Sequence, residues 1–344
     1  MPRLPPSLIW KAHSISPLAA TLLPVCRDIP SALTELRWIR EHVQSTSASA
    51  SSSALDGVRL RRLCRERGKG VPLQYVLGTQ PFGNLDIKCR PGVLIPRSEP
   101  EAYTTHLSRL LKTGHFSPRS QPLRIIDFCT GTGCIALLLY SNLSSSFPHL
   151  DVTGVDISPK AISLSNTNLQ HNVSLGLIPP PSPSHSLTFQ QSDIFSPAWL
   201  SPESEGKWDV IISNPPYISP RGFATDCSRS VRNHEPKLAQ VPLPRPDAAV
   251  RRQEDVFYAR LLDIGAVVRP KVMLFEVGGM DQALRVVRLV GERMGMGEWE
   301  VEVWRDWPDG RAVEGEERSV RVDGVGEVPV RGSGHGRSVL VYRR

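Results

Sequence analysis

At 344 residues, 40% hydrophobic and 22% charged, the chain has the make-up of a soluble globular protein with room for one large domain and a smaller partner. Its longest apolar runs, such as 135–140, are far too short to span a bilayer, which excludes a transmembrane helix. The net charge of +7 is concentrated: residues 1–70 hold 11 Lys/Arg against 5 Asp/Glu, a net of +6, leaving +1 for residues 71–344. Nucleic-acid binding needs a basic face, and the bulk charge of the larger part gives little support for one.

The first 27 residues carry Arg3, Lys11 and Arg27, several serines and no acid, the composition of an organelle transit peptide. Pro5, Pro6 and Pro17 are expected to interrupt any amphipathic helix there. A mitochondrial location is the expectation, with a cytoplasmic one as the alternative. Cys26, Cys64, Cys89, Cys129, Cys134 and Cys227 form no CxxC and no regular spacing, so free thiols and no metal site are expected.

Along 31–44, Leu33, Leu36, Ile39 and Val43 recur at helical spacing and give one apolar face. The polar run 45–54 reads as a loop. A basic helix over 55–67 follows, with Leu60 and Leu63 on one side. Together these predict a small helical amino-terminal domain. Residues 71–101, rich in Pro and Gly, read as a linker with strand character.

From Leu123 strands and helices alternate. Strands are predicted at 124–128, 151–156, 187–193, 209–214 and 272–278, with helices at 133–143, from Ser158 and over 255–268. Pro159 suits the first turn of its helix. Strands spaced by helices imply a parallel, doubly wound sheet. At the end, 301–307 and 337–343 are two strands with no helix between them, so an antiparallel hairpin is expected to close the sheet edge. The stretch 308–336, dense in Gly, Glu and Arg, reads as a long exposed loop, and 179–185 as another.

The chemistry gathers at strand ends. Asp127, Gly131 and Gly133 occupy the first βα turn, where glycines allow a sharp turn and close approach of a ligand to a helix N-terminus. Gly131, Gly133 and Ala136 also satisfy the dinucleotide pattern GxGxxA, with Asp156 at the matching distance. An acid at Asp127 repels a pyrophosphate but suits the ammonium of a methionine tail. Asp156 can accept both hydroxyls of a ribose, or cap a helix. Asp193 can accept from an adenine amino group, or serve as a turn aspartate. After the strand 209–213, Asn214-Pro215-Pro216-Tyr217 makes a rigid turn. The Asn214 side-chain carbonyl and the backbone carbonyl of Pro215 can hold both protons of a planar NH2 group. An isolated Asn-Pro is otherwise a turn former. Tyr217 is a poor base at neutral pH and is expected to wall the pocket.

Asp127, Gly131, Gly133, Asp156, Asp193 and residues 214–217 resemble a class I S-adenosylmethionine-dependent methyltransferase of the amino-group type. The segment PLQYVLGTQPFGNLDIKCRPGVLIPRSEPE (72–101) is similar to the signature of the HemK/PrmC family, the N5-glutamine methyltransferases of peptide chain release factors. The segments 231–239, 276–283 and 331–343 resemble that family too, the last in its fungal organellar branch. The resemblance implies an α/β class I methyltransferase fold, a Rossmann-like doubly wound sheet with a terminal antiparallel hairpin, plus a small helical N-terminal domain. It implies methylation of the glutamine side-chain amide in a release factor's Gly-Gly-Gln tip, with a base-methylating RNA or DNA enzyme as the alternative. The cofactor is then S-adenosyl-L-methionine, bound by Asp127, Thr130, Gly131, Thr132, Gly133, Asp156, Ile157, Asp193, Ile194 and Asn214. Asn214, Pro215, Pro216 and Tyr217 form the catalytic turn. The expected partner is a release factor, with no membrane, no direct nucleic-acid binding and a monomeric state.

The expected domains are a transit segment over 1–30, a helical substrate-docking domain over 31–70, a linker with a strand hairpin over 71–115, and the methyltransferase domain over 116–344. Arg97 and Glu99 either order the cofactor loop or brace the domain junction. Glu235 either steadies the turn 214–217 or forms half of a surface ion pair, the second being the expectation.

Overall fold

The computed structural model describes residues 3–47, 53–116, 120–245 and 250–343. Of the polar run 45–54, residues 48–52 lie outside the described residues, and its ends belong to helices that finish at Ser45 and begin at Ser53. Among the described residues no helix is long and apolar enough to cross a membrane, and all six cysteines are free thiols.

Five helices form the amino-terminal bundle: α1 (Pro6–Ile15), α2 (Pro17–Cys26), α3 (Ile29–Ser45), α4 (Ser53–Gly68) and α5 (Leu73–Leu77). Contrary to the sequence expectation, Pro5, Pro6 and Pro17 do not interrupt helices but mark where they start, and α2 continues through Pro24. Pro6 and Pro17 occupy first-turn positions where no backbone donor is needed, and the Ser16 side chain caps α2. Ala12, Ala19, Leu22 and Leu23 are fully buried, so residues read as a transit segment are part of the bundle. Asp28 caps α3 by accepting from Ser31 N at 2.8 Å. The stripe Ala32, Leu36, Ile39 and Val43 lies buried against Leu63 and Cys64 of α4. Glu35 and Arg67 close this contact with two hydrogen bonds of 2.7 and 2.8 Å.

Residues 71–115 are not one linker. Val76 of α5 joins the bundle core. The antiparallel hairpin β1 (Thr79–Phe82) and β2 (Leu85–Lys88) follows. Then α6 (Ser98–Lys112) buries Tyr103, Leu107 and Leu111 at four-residue spacing against the main core.

The main sheet takes β3 (Leu123–Phe128), β4 (Leu150–Asp156), β5 (His185–Gln191), β6 (Val210–Ser213), β7 (Val272–Glu276), β8 (Trp299–Trp307), β9 (Ser319–Val322), β10 (Gly326–Arg331) and β11 (Ser333–Arg343). Their order is β5-β4-β3-β6-β7-β11-β8-β10-β9. The first five are parallel, and β11 enters antiparallel between β7 and β8. This is the doubly wound parallel sheet that the class I methyltransferase resemblance implies, continued by the antiparallel β11 and β8. Helices α7 (Cys134–Leu143), α8 (Pro159–Ser174), α9 (Pro220–Thr225), α10 (Arg229–His234), α11 (Val256–Val268) and α12 (Met280–Met294) complete the domain. One core lies between the sheet and α6 and α7, and a second between the sheet and α11 and α12.

Two sequence expectations are corrected here. The stretch 308–336 is not all loop, because β9 and β10 pair across Asp323-Gly324 and β10 joins β8 in parallel. Val322, Val328 and Val330 are buried by this extension, so the β8/β11 pair does not end the sheet. The helix α12 was not anticipated, although Ala283, Val286, Val287 and Val290 form its buried stripe.

Two asparagines of α8 hold the hairpin in place by reading its backbone. Asn168 accepts from Lys88 N at 2.7 Å, and Asn172 accepts from Asp86 N at 3.0 Å while donating to Asp86 O at 3.0 Å. Residues four apart on a helix thus match residues two apart on one strand edge. Asn168 also donates to Thr132 O at 2.9 Å, which links the hairpin to the first βα turn. Asn172→Ala removes both hydrogen bonds to the half-buried Asp86 backbone, and urea unfolding is expected to show a loss of about 1–2 kcal/mol.

Candidate active site

The carboxyl ends of β3, β4, β5 and β6 face one cavity of about 200 Å³. It lies where the strand order reverses between β3 and β6, the usual ligand crevice of an open α/β sheet.

The turn after β3 is built around three residues with left-handed backbone: Cys129 at φ 61, Gly131 at φ 56 and Gly133 at φ 79. A cysteine in that region carries a steric cost that glycine avoids. At Gly133 a Cβ would sit 2.9 Å from Phe189 and Ser165 atoms, so only glycine lets α7 start so close to its neighbours. Thr130, Gly131 and Thr132 line the cavity.

Asp127 does not line the cavity, contrary to the expectation that it meets a ligand ammonium. It is fully buried beneath the turn, where Thr130 Oγ1 donates to its Oδ2 at 2.6 Å. Its Oδ1 is buried without a well-formed hydrogen bond, the Ala136 amide lying nearby. Burial pushes this carboxyl up to about 7, with the Thr130 hydroxyl opposing and the Asp156 charge adding to the rise. The native state therefore binds a proton that the unfolded chain has already released near pH 4. Stability falls as pH rises from there to about 7, and is level above. Asp127→Asn abolishes this slope. Its stability gain over the wild type should widen by about 2 kcal/mol between pH 5 and pH 8 in urea unfolding, and an equal gap at both pH values would contradict the assignment.

Asp156, ending β4, does not cap α8, whose N-cap is Ser158; it braces the glycine turn instead. Its Oδ2 accepts from Gly131 N at 3.0 Å and its Oδ1 from Ser158 N at 2.8 Å, while the residue lines the cavity with acceptor capacity remaining. Burial raises its pKa, and the backbone donors around it oppose the rise. Asp193 likewise makes a turn, its Oδ1 accepting from Phe195 N at 2.9 Å, and also lines the cavity. Arg245 reaches Asp193 Oδ2 at 3.5 Å and lies over the Phe195 ring at 3.8 Å. Ile157, Ile194, Phe195 and Phe257 supply an apolar wall beside these carboxylates. Apolar surface for a purine, a carboxylate for ribose hydroxyls and a glycine turn open to the cavity fit a nucleoside with a charged tail, such as S-adenosylmethionine.

Across the cavity, β6 ends at Ser213, whose hydroxyl donates to Phe128 O at 2.7 Å and locks the tips of β6 and β3 together. Asn214 and Pro216 line the cavity, and Pro215 is buried. Among the described residues nothing pairs with the Asn214 carboxamide, so both its carbonyl and its amino group remain available to a ligand. Contrary to the sequence expectation, Tyr217 does not wall the cavity. Its hydroxyl donates to Glu276 Oε1 at 3.0 Å, and Gln282 Nε2 donates to its backbone oxygen at 3.3 Å. The other Glu276 oxygen accepts from Tyr103 at 2.9 Å. Burial pushes Glu276 up to about 7, the two phenols opposing. Burial and the Glu276 charge raise the Tyr217 phenol well above its usual range, so it is no base.

The remaining walls come from 92–97 and 236–245. Arg97 donates to Glu235 Oε1 at 2.6 Å, and Ile95 N donates to Glu235 Oε2 at 3.2 Å. The Glu235 side chain is only 2% exposed, so this is a buried clasp between two cavity walls and not the surface pair expected. Both segments carried the family resemblance, but no local pattern pairs residues 138 positions apart.

The family model described as methyltransferase small domain matches residues 106–232. The chain is 39% identical over 242 residues to the mitochondrial MRF1 N(5)-glutamine methyltransferase MTQ1 of Saccharomyces cerevisiae, covering 70% of this chain and 68% of that protein. It is 30% identical over 306 residues to a Schizosaccharomyces pombe protein named "Probable MRF1 mitochondrial N(5)-glutamine methyltransferase mtq1", covering 88% of this chain and 93% of that one. A release factor glutamine methyltransferase of Rhodopirellula baltica is 33% identical over 211 residues, 61% of this chain and 64% of its own. With near-complete coverage of one relative and an intact turn at the end of β6, the chain belongs to the N5-glutamine methyltransferase family of peptide chain release factors.

Proposed function

We propose that this enzyme methylates the side-chain amide nitrogen of the glutamine in the Gly-Gly-Gln motif of a peptide chain release factor. The observation that carries the reading is the Asn214 carboxamide, without a partner among the described residues and on the cavity wall one strand away from the glycine turn. S-adenosylmethionine is the methyl donor and, when bound, supplies an electrophilic methyl group on a sulfonium centre. Asp156, Ile157, Asp193 and Ile194 would hold its nucleoside, and the turn 130–133 its tail.

An amide nitrogen is a weak nucleophile because its lone pair is delocalised, so positioning must supply much of the barrier reduction. The Asn214 side-chain carbonyl and the Pro215 backbone carbonyl accept its two N–H groups, which polarises the nitrogen and aims its lone pair. Two acceptor oxygens beside the nitrogen would also favour the positive charge it carries once methylated. The nitrogen then sheds one proton to solvent. No side-chain base is needed before transfer, in keeping with the anchored phenol of Tyr217.

The helical bundle docks the release factor, and the enzyme acts as a monomer in the mitochondrion. The location is supported by the two yeast relatives named as mitochondrial. The purified chain, given methyl-labelled cofactor with either a release factor or structured RNA, should label only the release factor, at the Gly-Gly-Gln glutamine by mass spectrometry. Labelled RNA with an unlabelled release factor would favour the base-methylating alternative.

A further inference from the structure

We propose that Glu276 is the positioning residue of the acceptor turn: its one carboxylate clamps the phenols of Tyr217 and Tyr103 and so fixes where Asn214 points. The inference rests on the methyltransferase reading above and adds to it a residue that neither touches the cavity nor takes part in the transfer.

The sheet register places the clamp. Strands β6 and β7 are parallel with Ser213 opposite Phe275, so Asn214 and Glu276 leave the sheet at the same level. From there the Glu276 side chain turns inward and is almost wholly buried. A carboxylate in such a place needs donors on both oxygens. It has one phenol on each, Tyr217 at 3.0 Å and Tyr103 at 2.9 Å. Its own main chain is fixed as well, because Tyr258 donates to Glu276 O at 2.7 Å.

The turn depends on that clamp because its middle cannot hold itself. Pro215 and Pro216 have no N–H to donate, and the Asn214 carboxamide has no partner among the described residues. Past the prolines the chain is tied at Tyr217, through its hydroxyl to Glu276 and its carbonyl to Gln282, and at Ile218 N, which donates to Gln240 O at 2.8 Å. The ring is pressed from behind, since a Cβ on Gly278 would lie 3.3 Å from Tyr217 Cδ2. Releasing the phenol frees Tyr217 to turn and lets the proline corner, with Asn214 at its start, rotate by a fraction of an ångström to an ångström. Errors of that size are costly only where a reaction depends on alignment.

The clamp also joins two walls of the site. Tyr103 sits on α6, which begins directly after the cavity-lining residues Ile95 to Arg97. One carboxylate thus holds the acceptor turn against the segment that closes the opposite side.

The test uses the full chain with a release factor and compares Tyr217→Phe, Glu276→Gln and the double variant. Each single change is expected to lower kcat by about tenfold to a hundredfold, with the KM for the release factor and the cofactor Kd unchanged. The double variant should fall no further, because both changes break the same link. A folded Tyr217→Phe protein with wild-type kcat overturns the proposal, as do losses that multiply in the double variant. If Glu276→Gln fails to fold, Tyr217→Phe alone decides by the same split of kcat against KM. An unaltered chain that methylates no release factor removes the functional reading and this inference together, whereas full turnover in Tyr217→Phe removes only the inference.

Discussion

Replacing Asn214 by alanine is expected to lower kcat for release-factor methylation by roughly a thousandfold while leaving the fold intact. The side chain has no hydrogen-bond partner among the described residues, so its removal strands nothing and the thermal unfolding midpoint should stay within a degree or two. What disappears is an acceptor aimed at a nitrogen that becomes more positive as the new bond forms, an interaction stronger in the transition state than in the ground state. The change should therefore fall on kcat, with KM and cofactor affinity little altered. Asn214→Asp gives a harder test. It keeps an acceptor but adds a charge, which should tether the amide without restoring full turnover. An alanine variant with wild-type kcat would remove the turn from the mechanism.

Replacing Asp156 by alanine should weaken cofactor binding by roughly a hundredfold or more, measured by titration calorimetry. Here the residue works in two directions. Toward the protein it accepts from Gly131 N and Ser158 N, holding the glycine turn against the start of α8. Toward the cavity it offers the lone pairs that remain. Alanine loses both, so part of the affinity loss should reappear as instability of the free protein. Asp156→Asn separates the two contributions. Its carbonyl can still accept one backbone donor, so stability should largely recover while affinity recovers less. Recovery of both together would mean that Asp156 acts only as a turn brace.

Local order was readable wherever a periodic run met a clear punctuation mark. Helix α3 combined an apolar stripe with a capping Asp28, α8 had Ser158 and Pro159 at its start, and β3, β4, β6 and β7 were short apolar runs bounded by polar turns. The helices α6 and α12 carried equally regular stripes. Their starts are masked, because the first follows a Pro- and Gly-rich stretch and the second follows a glycine pair. β9 and β10 alternate valine with polar residues across Asp323-Gly324, a hairpin signal masked by the glycine and charge around it.

At the site, the residues placed on strand ends did converge, since parallel strands wound on both sides of a sheet deliver their carboxyl ends to one edge. Asn214, Asp156, Asp193 and the turn 130–132 meet there. Asp127 and Tyr217 share that edge but turn away from the cavity. Their neighbours in sequence say where their backbone lies, but side-chain direction depends on what packs behind it, Thr130 in one case and Glu276 in the other.

By itself, then, the sequence determined the elements, the parallel sheet and the turn that would carry the chemistry, because each depends on residues a few positions apart. Only the tertiary structure decided the partnerships: Glu276 with Tyr217 and Tyr103, 59 and 173 positions apart, and Arg97 with Glu235, 138 apart. Such contacts arise from the order in which strands lie side by side, and buried charges must find donors wherever that order puts them, so no local pattern records the pairing.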